Sequence, residues 1–293
     1  MKPAHFEYER PGTLDGALSL LASYGGEAKI LAGGQSLVPL LNFRLLRPSV
    51  LIDINALNEL DFVRPAANGG LRIGALTRHY VLETSPLVRE RFPVLSEAMT
   101  HVAHLAVRNR GTIGGSLTHA DPAAELPMMA LLLDAEIHTR SSHEARIYQA
   151  QDYFLGPLTP AIGEDQIVTE IVIPPLPSNA GYGFEEFSQR QGDFAIAAAA
   201  AVVAVRQGKI VEARLALMGV EETPVRLCNI EAELAGQTYS TGTMKEAARN
   251  ASRSVQPNTD LKASAELRRH LAGVQTERVL NKAWLSASAK AGS

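Results

Sequence analysis

The chain has little of what most catalytic centres are built from. Of its 293 residues, one is cysteine, Cys228. A single thiol excludes an intrachain disulfide and cannot supply the four-cysteine frame of an iron–sulfur cluster or a structural zinc site. The eight histidines fall in no H-E-x-x-H spacing, and the His101/His104 pair reads as half-solvated helix surface, so no metal site is expected. A G-x-S-x-G nucleophile elbow is also missing. The formal net charge is −3 with charges scattered along the chain, which leaves no electrostatic footprint for nucleic acid. No apolar run approaches the roughly 18 residues of a membrane span; the longest, Phe194 to Val205, starts beside Asp193 and reads as a buried strand or helix segment. Met1 to Arg10 lacks the apolar core of a signal peptide. The expectation is a soluble, cytoplasmic protein.

What is present is an ordinary core-forming composition, 46% hydrophobic, and two glycine pairs in matching frames. These are Ala32-Gly33-Gly34-Gln35-Ser36-Leu37 and Thr112-Ile113-Gly114-Gly115-Ser116-Leu117. Each follows a short apolar run that reads as a strand, Lys29 to Leu31 and, more loosely, Leu105 to Val107, and each pair runs on into a small polar residue. Backbone N–H groups in such loops can approach an anion closely. Neither loop fits the Walker pattern or G-x-G-x-x-G. Singly, each is more often a tight turn; the repetition points to one diphosphate held by two loops. The negative net charge does not oppose this, because charge-assisted hydrogen bonds contribute about 1.5–3 kcal/mol each while distant charges are screened over about 8 Å.

The pattern around the first loop predicts a compact α/β unit with a parallel sheet. It comprises strands over Phe6 to Glu9, Ala28 to Leu31 and Val50 to Ile54, a helix over Leu14 to Tyr24 capped by Thr13 and ended by Gly25-Gly26, and a helix over Ser36 to Leu41. A second, α+β lobe follows. It has a strand over Leu71 to Ile73, a helix capped by Thr77, and helices over Phe92 to His104 and Pro122 to Leu133. Its remaining strands are Glu136 to Arg140, Ala145 to Tyr148 and Ile167 to Ile173. The Pro174-Pro175 stretch through Gly181 reads as the domain boundary, giving 1–177 (lobes 1–56 and 57–177) and 178–293. The second part reads as three antiparallel strands, Gly183 to Gln189, Ala195 to Arg206 and Lys209 to Met218, the last two joined at Gln207-Gly208. Helices follow over Cys228 to Leu234, Met244 to Ser252, with Thr243 as cap, and Ala263 to Ala289.

Beside the second loop stand Asp121 and Glu125. Carboxylates are poor phosphate partners but good acceptors for sugar hydroxyls, so either can hold the sugar part of a nucleotide cofactor; an acid at a helix N-terminus accounts for Asp121 equally well.

Together the motifs resemble the FAD-binding medium subunit of molybdenum hydroxylases, the carbon monoxide dehydrogenase and xanthine dehydrogenase family. They are the 32–37 loop with Pro39-Leu40, then Leu51-Ile52-Asp53-Ile54, Ile73-Gly74-Ala75-Leu76-Thr77, Arg108-Asn109-Arg110-Gly111-Thr112-Ile113-Gly114-Gly115-Ser116, Asp121-Pro122-Ala123 and Arg190-Gln191-Gly192-Asp193-Phe194-Ala195. The resemblance covers nearly the whole chain. It implies an α+β architecture, a vanillyl-alcohol-oxidase-like (PCMH-type) FAD-binding fold of two α/β lobes, plus a small C-terminal domain of a three-stranded antiparallel sheet and helices. By the same resemblance the two loops cradle the FAD pyrophosphate, Val102, Glu125 and Val168 line the cofactor, and Phe194 stands near the flavin ring. Glu186 departs from the family's pattern, which often has lysine there.

The implied function is electron transfer within a complex. A small subunit with 2Fe-2S clusters and a large subunit with the molybdenum cofactor are the expected partners, in a dimer of heterotrimers. The substrate pocket, for carbon monoxide, an aldehyde or an N-heterocycle, is then on another chain, and no substrate-activating residue is expected here. The alternative is a self-sufficient flavin oxidase or dehydrogenase of the same fold, for which the segment after Pro177 is short and plain. A nucleotide-binding module with only an assembly role is a further alternative.

Overall fold

The computed structural model describes residues 2–177 and 179–291. Ser178, where the sequence-predicted second domain begins, lies outside them, as do Met1, Gly292 and Ser293. The first lobe follows its local signals closely. Thr13 accepts a hydrogen bond from the Gly16 N–H and caps α1 (Leu14–Tyr24), whose Leu14, Ala17, Leu18 and Leu21 are buried. The strands β1 (Glu7–Glu9), β2 (Ala28–Leu31) and β3 (Val50–Asp53) form a parallel sheet in the order β1-β3-β2. Between β2 and β3 the first glycine loop opens α2 (Leu37–Asn42).

The second lobe is built on a five-stranded sheet, order β4-β5-β10-β6-β7, made of β4 (Val63–Pro65), β5 (Leu71–Gly74), β6 (Glu136–Arg140), β7 (Ala145–Gln149) and β10 (Ile167–Ile173). Between β5 and β6 run α3 (His79–Thr84), α4 (Pro86–Arg91), α5 (Pro93–His101), α6 (Leu105–Arg108), α7 (Ile113–His119) and α8 (Glu125–Leu132). Helix α9 (Ala150–Tyr153) and the small pair β8 (Phe154–Gly156) and β9 (Thr159–Pro160) lie before β10. Three expectations fail in this lobe. The apolar run Leu105 to Val107 is helical, because it lies in α6, whose Arg108 reaches back to the carbonyls of Val102 and Ala103. The helix predicted to reach His104 stops at His101, where Ala103 takes a φ of 42°. Thr77 caps no helix; its hydroxyl donates to the Phe62 carbonyl at 2.8 Å.

After Pro177 come β11 (Ala180–Phe187), β12 (Ala197–Arg206), β13 (Lys209–Met218) and β14 (Val225–Arg226). They form an antiparallel sheet of four strands rather than three, since two residues of β14 extend the edge of β13. Helices α10 (Cys228–Leu234), α11 (Thr241–Ser254) and α12 (Ala265–Ala291) close the chain. The cap of α11 is Ser240, whose Oγ accepts from the Thr243 N–H, so Thr243 is a first-turn residue. The long apolar run is β12, and its burial explains its composition. Ala198, Ala200 and Val202 join the core shared with the second lobe, while Ala197, Ala199, Ala201, Val203 and Val205 join the core under the C-terminal helices. A strand covered on both faces carries no polar alternation.

Candidate functional site

The two glycine loops meet. A Cβ on Gly33 would overlap the Arg110 carbonyl oxygen and lie 2.8 Å from the Gly111 Cα, so the first loop packs backbone to backbone on the approach to the second. Gly34 takes a φ of 73°, a conformation open to glycine at little cost.

Hydrogen-bond accounting separates the loops. In the second, every N–H from Ile113 to Ser116 is used inside the protein. Ile113 donates to Thr77 O at 3.0 Å, Gly114 to Ala75 O at 2.9 Å, Gly115 to the capping Thr112 Oγ1 at 3.1 Å, and Ser116 to Thr112 O at 3.0 Å. Gly114 is glycine because a Cβ would lie 2.7 Å from the Ala75 Cβ. In the first loop the N–H groups of Gly33, Gly34, Gln35, Ser36 and Leu37 have no acceptor among the described residues. Gln35 and Ser36 are exposed. The two loops therefore differ in what they offer: Gly33 to Leu37 present five successive donors without acceptors among the described residues, whereas the donors from Ile113 to Ser116 are spent on their own cap and on the β5–α3 segment.

The carbonyls explain how the open donors are aimed. In a trans peptide the C=O of one residue and the N–H of the next point in opposite directions. Ala32 O accepts from Asn55 Nδ2 at 2.8 Å, Gly33 O from Gln35 Nε2 at 3.2 Å, Gly34 O from Val38 N at 3.0 Å and Ser36 O from Leu40 N at 3.3 Å. Each carbonyl tied to the protein turns the following N–H, of Gly33, Gly34, Gln35 and Leu37, the other way. Consecutive N–H groups of this kind form an anion-binding concavity.

The other expected residues have their own surroundings. Asp121 Oδ1 accepts from the Ala123 N–H at 2.8 Å. Glu125, first residue of α8, is only 9% exposed, and its carboxyl is pushed up to about 7, chiefly by burial and further by the charge of Asp121, against a hydrogen bond from its own N–H. Glu186 on β11 has one carboxyl oxygen, Oε2, buried without a partner, and burial together with Glu125 raises it to about 8. Both carboxyls, from different parts of the chain, favour the neutral form, chiefly because they are buried. Val102 ends α5, with its carbonyl accepting from Arg108 Nη1 at 2.9 Å. Val168 is buried in β10, within the second-lobe core. Phe194 is 57% exposed, with Lys262 Nζ 4.9 Å from its ring centroid.

Sequence reasoning missed Asn55, Arg78 and His79. Arg78 donates from Nη1 to Arg110 O and from Nη2 to Asn55 Oδ1 at 2.8 Å. His79 Nε2 lies 3.0 Å from Thr112 O, and burial lowers its pKa to about 4, so it is neutral and donates through Nε2. The only available signal was position: Asn55 follows the Leu51-Ile52-Asp53-Ile54 motif, and Arg78 follows Thr77.

Comparison with known proteins identifies the family. Residues 4–176 match the family described as the FAD binding domain in molybdopterin dehydrogenase, and residues 182–283 match the CO dehydrogenase flavoprotein C-terminal domain. The chain is 42% identical to the 6-hydroxypseudooxynicotine dehydrogenase complex subunit alpha of Paenarthrobacter nicotinovorans, over 97% of this chain and 96% of that one. It is 38% identical to the caffeine dehydrogenase subunit beta of Pseudomonas sp. strain CBB1, with the same coverage. The solved carbon monoxide dehydrogenase from Hydrogenophaga pseudoflava, which lacks the Mo-pyranopterin moiety of the molybdenum cofactor, superimposes with a TM-score of 0.95 at 35% identity, over 98% of this chain and 99% of that one. Relatives of this length are named as subunits or medium chains of larger enzymes, which disfavours the self-sufficient oxidase. The chain belongs to the FAD-binding medium subunits of the carbon monoxide dehydrogenase and xanthine dehydrogenase family of molybdenum hydroxylases, and is a flavoprotein oxidoreductase subunit.

Proposed function

We propose that this chain binds FAD with the diphosphate on the open N–H groups of the 32–37 loop and relays electrons between partner subunits and an external acceptor. The observation that carries the reading is the run of five donors, Gly33 to Leu37, without acceptors among the described residues. The 112–116 loop is the wall on which that cradle is built, with Gly115 and Ser116 on its accessible side. Glu125 and Asp121 offer acceptors for sugar hydroxyls. Val102, Val168 and Phe194 supply apolar surface toward the ring system.

When bound, FAD supplies the exchange between two-electron and one-electron chemistry; the protein contributes position and electrostatics. The raised carboxyls of Glu125 and Glu186 keep negative charge low on their side of the site, a different electrostatic setting from a lysine at position 186. With one cysteine in the chain, the 2Fe-2S clusters belong to a small partner subunit, and the molybdenum cofactor and substrate pocket to a large one, in a dimer of heterotrimers located in the cytoplasm. The chain divides into an FAD-binding part, 1–177, and a C-terminal part, 178–293, that share the core between β12 and the second lobe.

Reconstitution tests the reading. The purified chain should bind FAD, release it on acid precipitation, and accept electrons from an artificial donor. It should oxidise no aldehyde, N-heterocycle or carbon monoxide until iron–sulfur and molybdenum subunits are added. Turnover of such a substrate by the single chain contradicts the electron-transfer role, and a chain that takes up no FAD contradicts the whole reading.

A further inference from the structure

Of the carbonyls that aim the open N–H groups, three are tied from within the loop or by the first turn of α2. Gly33 O is held by the Gln35 side chain, Gly34 O by Val38 N and Ser36 O by Leu40 N. Ala32 O is held from elsewhere in the fold. Its donor, Asn55 Nδ2, also reaches Leu31 O at 3.4 Å, and Asn55 is itself fixed by Asp53, whose Oδ1 lies 2.9 Å from the Asn55 N and 2.6 Å from its Nδ2. Burial works against charge on Asp53, but hydrogen bonds from Tyr8 and Asn55 hold its carboxyl below the usual value. The Asn55 Oδ1, in turn, accepts from Arg78. The second arm of the same guanidinium takes the Arg110 carbonyl, the atom against which Gly33 packs. One planar fork therefore joins the side chain that orients the Gly33 N–H to the backbone that limits how far Gly33 can move.

We infer that Arg78 and Asn55 act as a positioning clamp, which holds the 32–37 loop against residues 110–111 and keeps the Gly33 N–H turned toward the diphosphate. The inference rests on the FAD reading above. Neither residue needs to touch the cofactor: Asn55 acts through the Ala32 carbonyl, and Arg78 through Asn55 and the Arg110 carbonyl. Geometry matters more than charge here, because two donors in fixed directions serve two acceptors at once. A lysine retains the charge but lacks the fork.

The test uses the full chain, freed of flavin, in three variants: Arg78→Lys, Arg78→Met and Asn55→Ala, with the Arg78→Lys/Asn55→Ala double variant. FAD affinity is read by fluorescence titration, the diphosphate's surroundings by the ³¹P resonances of bound FAD, and folding by the melting temperature of the apo chain. The clamp predicts that Arg78→Lys loses as much affinity as Arg78→Met, on the order of tenfold. It predicts a shift of the ³¹P resonances in both. In the double variant the loss should be smaller than the product of the single losses, because both changes disable one device. Full affinity in Arg78→Lys beside a loss in Arg78→Met overturns the clamp in favour of a charge effect. Losses that track the melting temperature with unshifted ³¹P resonances overturn it in favour of general destabilisation, and unchanged affinity in all variants overturns it outright. If the wild-type chain binds no FAD, the cradle reading beneath it fails as well.

Discussion

The two glycine loops share a sequence frame and differ in what their backbones have left to offer. The 112–116 loop spends four of its five N–H groups, those from Ile113 to Ser116, on Thr77, Ala75 and its own cap. The 32–37 loop leaves five open. Similar flanks do not imply similar roles: in the proposed reading the first loop is the binding surface, and the second is a structural joint placing β5, α3 and α7 beside it. Glycine is needed in both, but at Gly33 and Gly34 it permits close approach and positive φ, while at Gly114 it permits packing on Ala75.

Substitutions should break this symmetry, and the largest effect on binding is expected at Gly34. Gly34→Val places a branched side chain at a φ of 73° and disrupts the aim of neighbouring donors. Loss of two charge-assisted bonds at about 1.5–3 kcal/mol each predicts at least a hundredfold fall in FAD affinity by fluorescence titration. Wild-type affinity would remove the first loop from the site. Gly114→Val should do the reverse. It overpacks against Ala75 and should lower stability by about 1–3 kcal/mol, seen as a reduced melting temperature of the apo chain before any flavin is added. An apo chain that melts normally but fails to bind FAD would give the second loop a direct binding role.

Smaller changes sharpen the contrast. Thr112→Ala removes the cap of α7 and frees the Gly115 N–H; caps contribute about 0.5–2 kcal/mol, so the melting temperature should fall by a few degrees with FAD affinity nearly unchanged. A fall in affinity without a fall in stability would contradict the assignment. The smallest effect concerns pH. Glu186 has its carboxyl raised from 4.5 to about 8, so the folded chain holds a proton that the unfolded chain releases. Its contribution to stability is complete below the unfolded value and is lost as pH rises toward about 8. Glu125, raised to about 7, adds to the same decline. Glu186→Gln should make the fall in apo melting temperature between about pH 6 and pH 8.5 shallower; an unchanged slope would show that Glu186 is ionised throughout.

Local signals made much of the fold legible. Thr13 and the spacing of Leu14, Ala17, Leu18 and Leu21 marked α1, and Gln207-Gly208 marked the β12–β13 hairpin. The short strands β4, β8, β9 and β14 were not legible, because two or three residues carry no periodicity and pair only through tertiary contact. Leu105 to Val107 failed for a related reason: a three-residue apolar run suits a strand or a helical turn equally, and Arg108 decides it from outside the run. At the site, glycine content revealed where backbones approach closely but not which N–H groups stay free. That depends on partners distant in sequence, Thr77 and Ala75 for one loop and Asn55 with Arg78 for the other. Glu125 was legible as an acid beside a loop; its influence on the Glu186 carboxyl was not, since Glu186 lies on β11, beyond the domain boundary.

The most direct measurement is residue-resolved amide hydrogen exchange of the chain with and without FAD. In the apo chain, Ile113 to Ser116 should already be protected and Gly33 to Leu37 should exchange freely; FAD should slow exchange at Gly33 to Leu37 and leave Ile113 to Ser116 nearly unchanged. Protection appearing equally at both loops, or only at the second, would contradict the division between binding surface and structural joint.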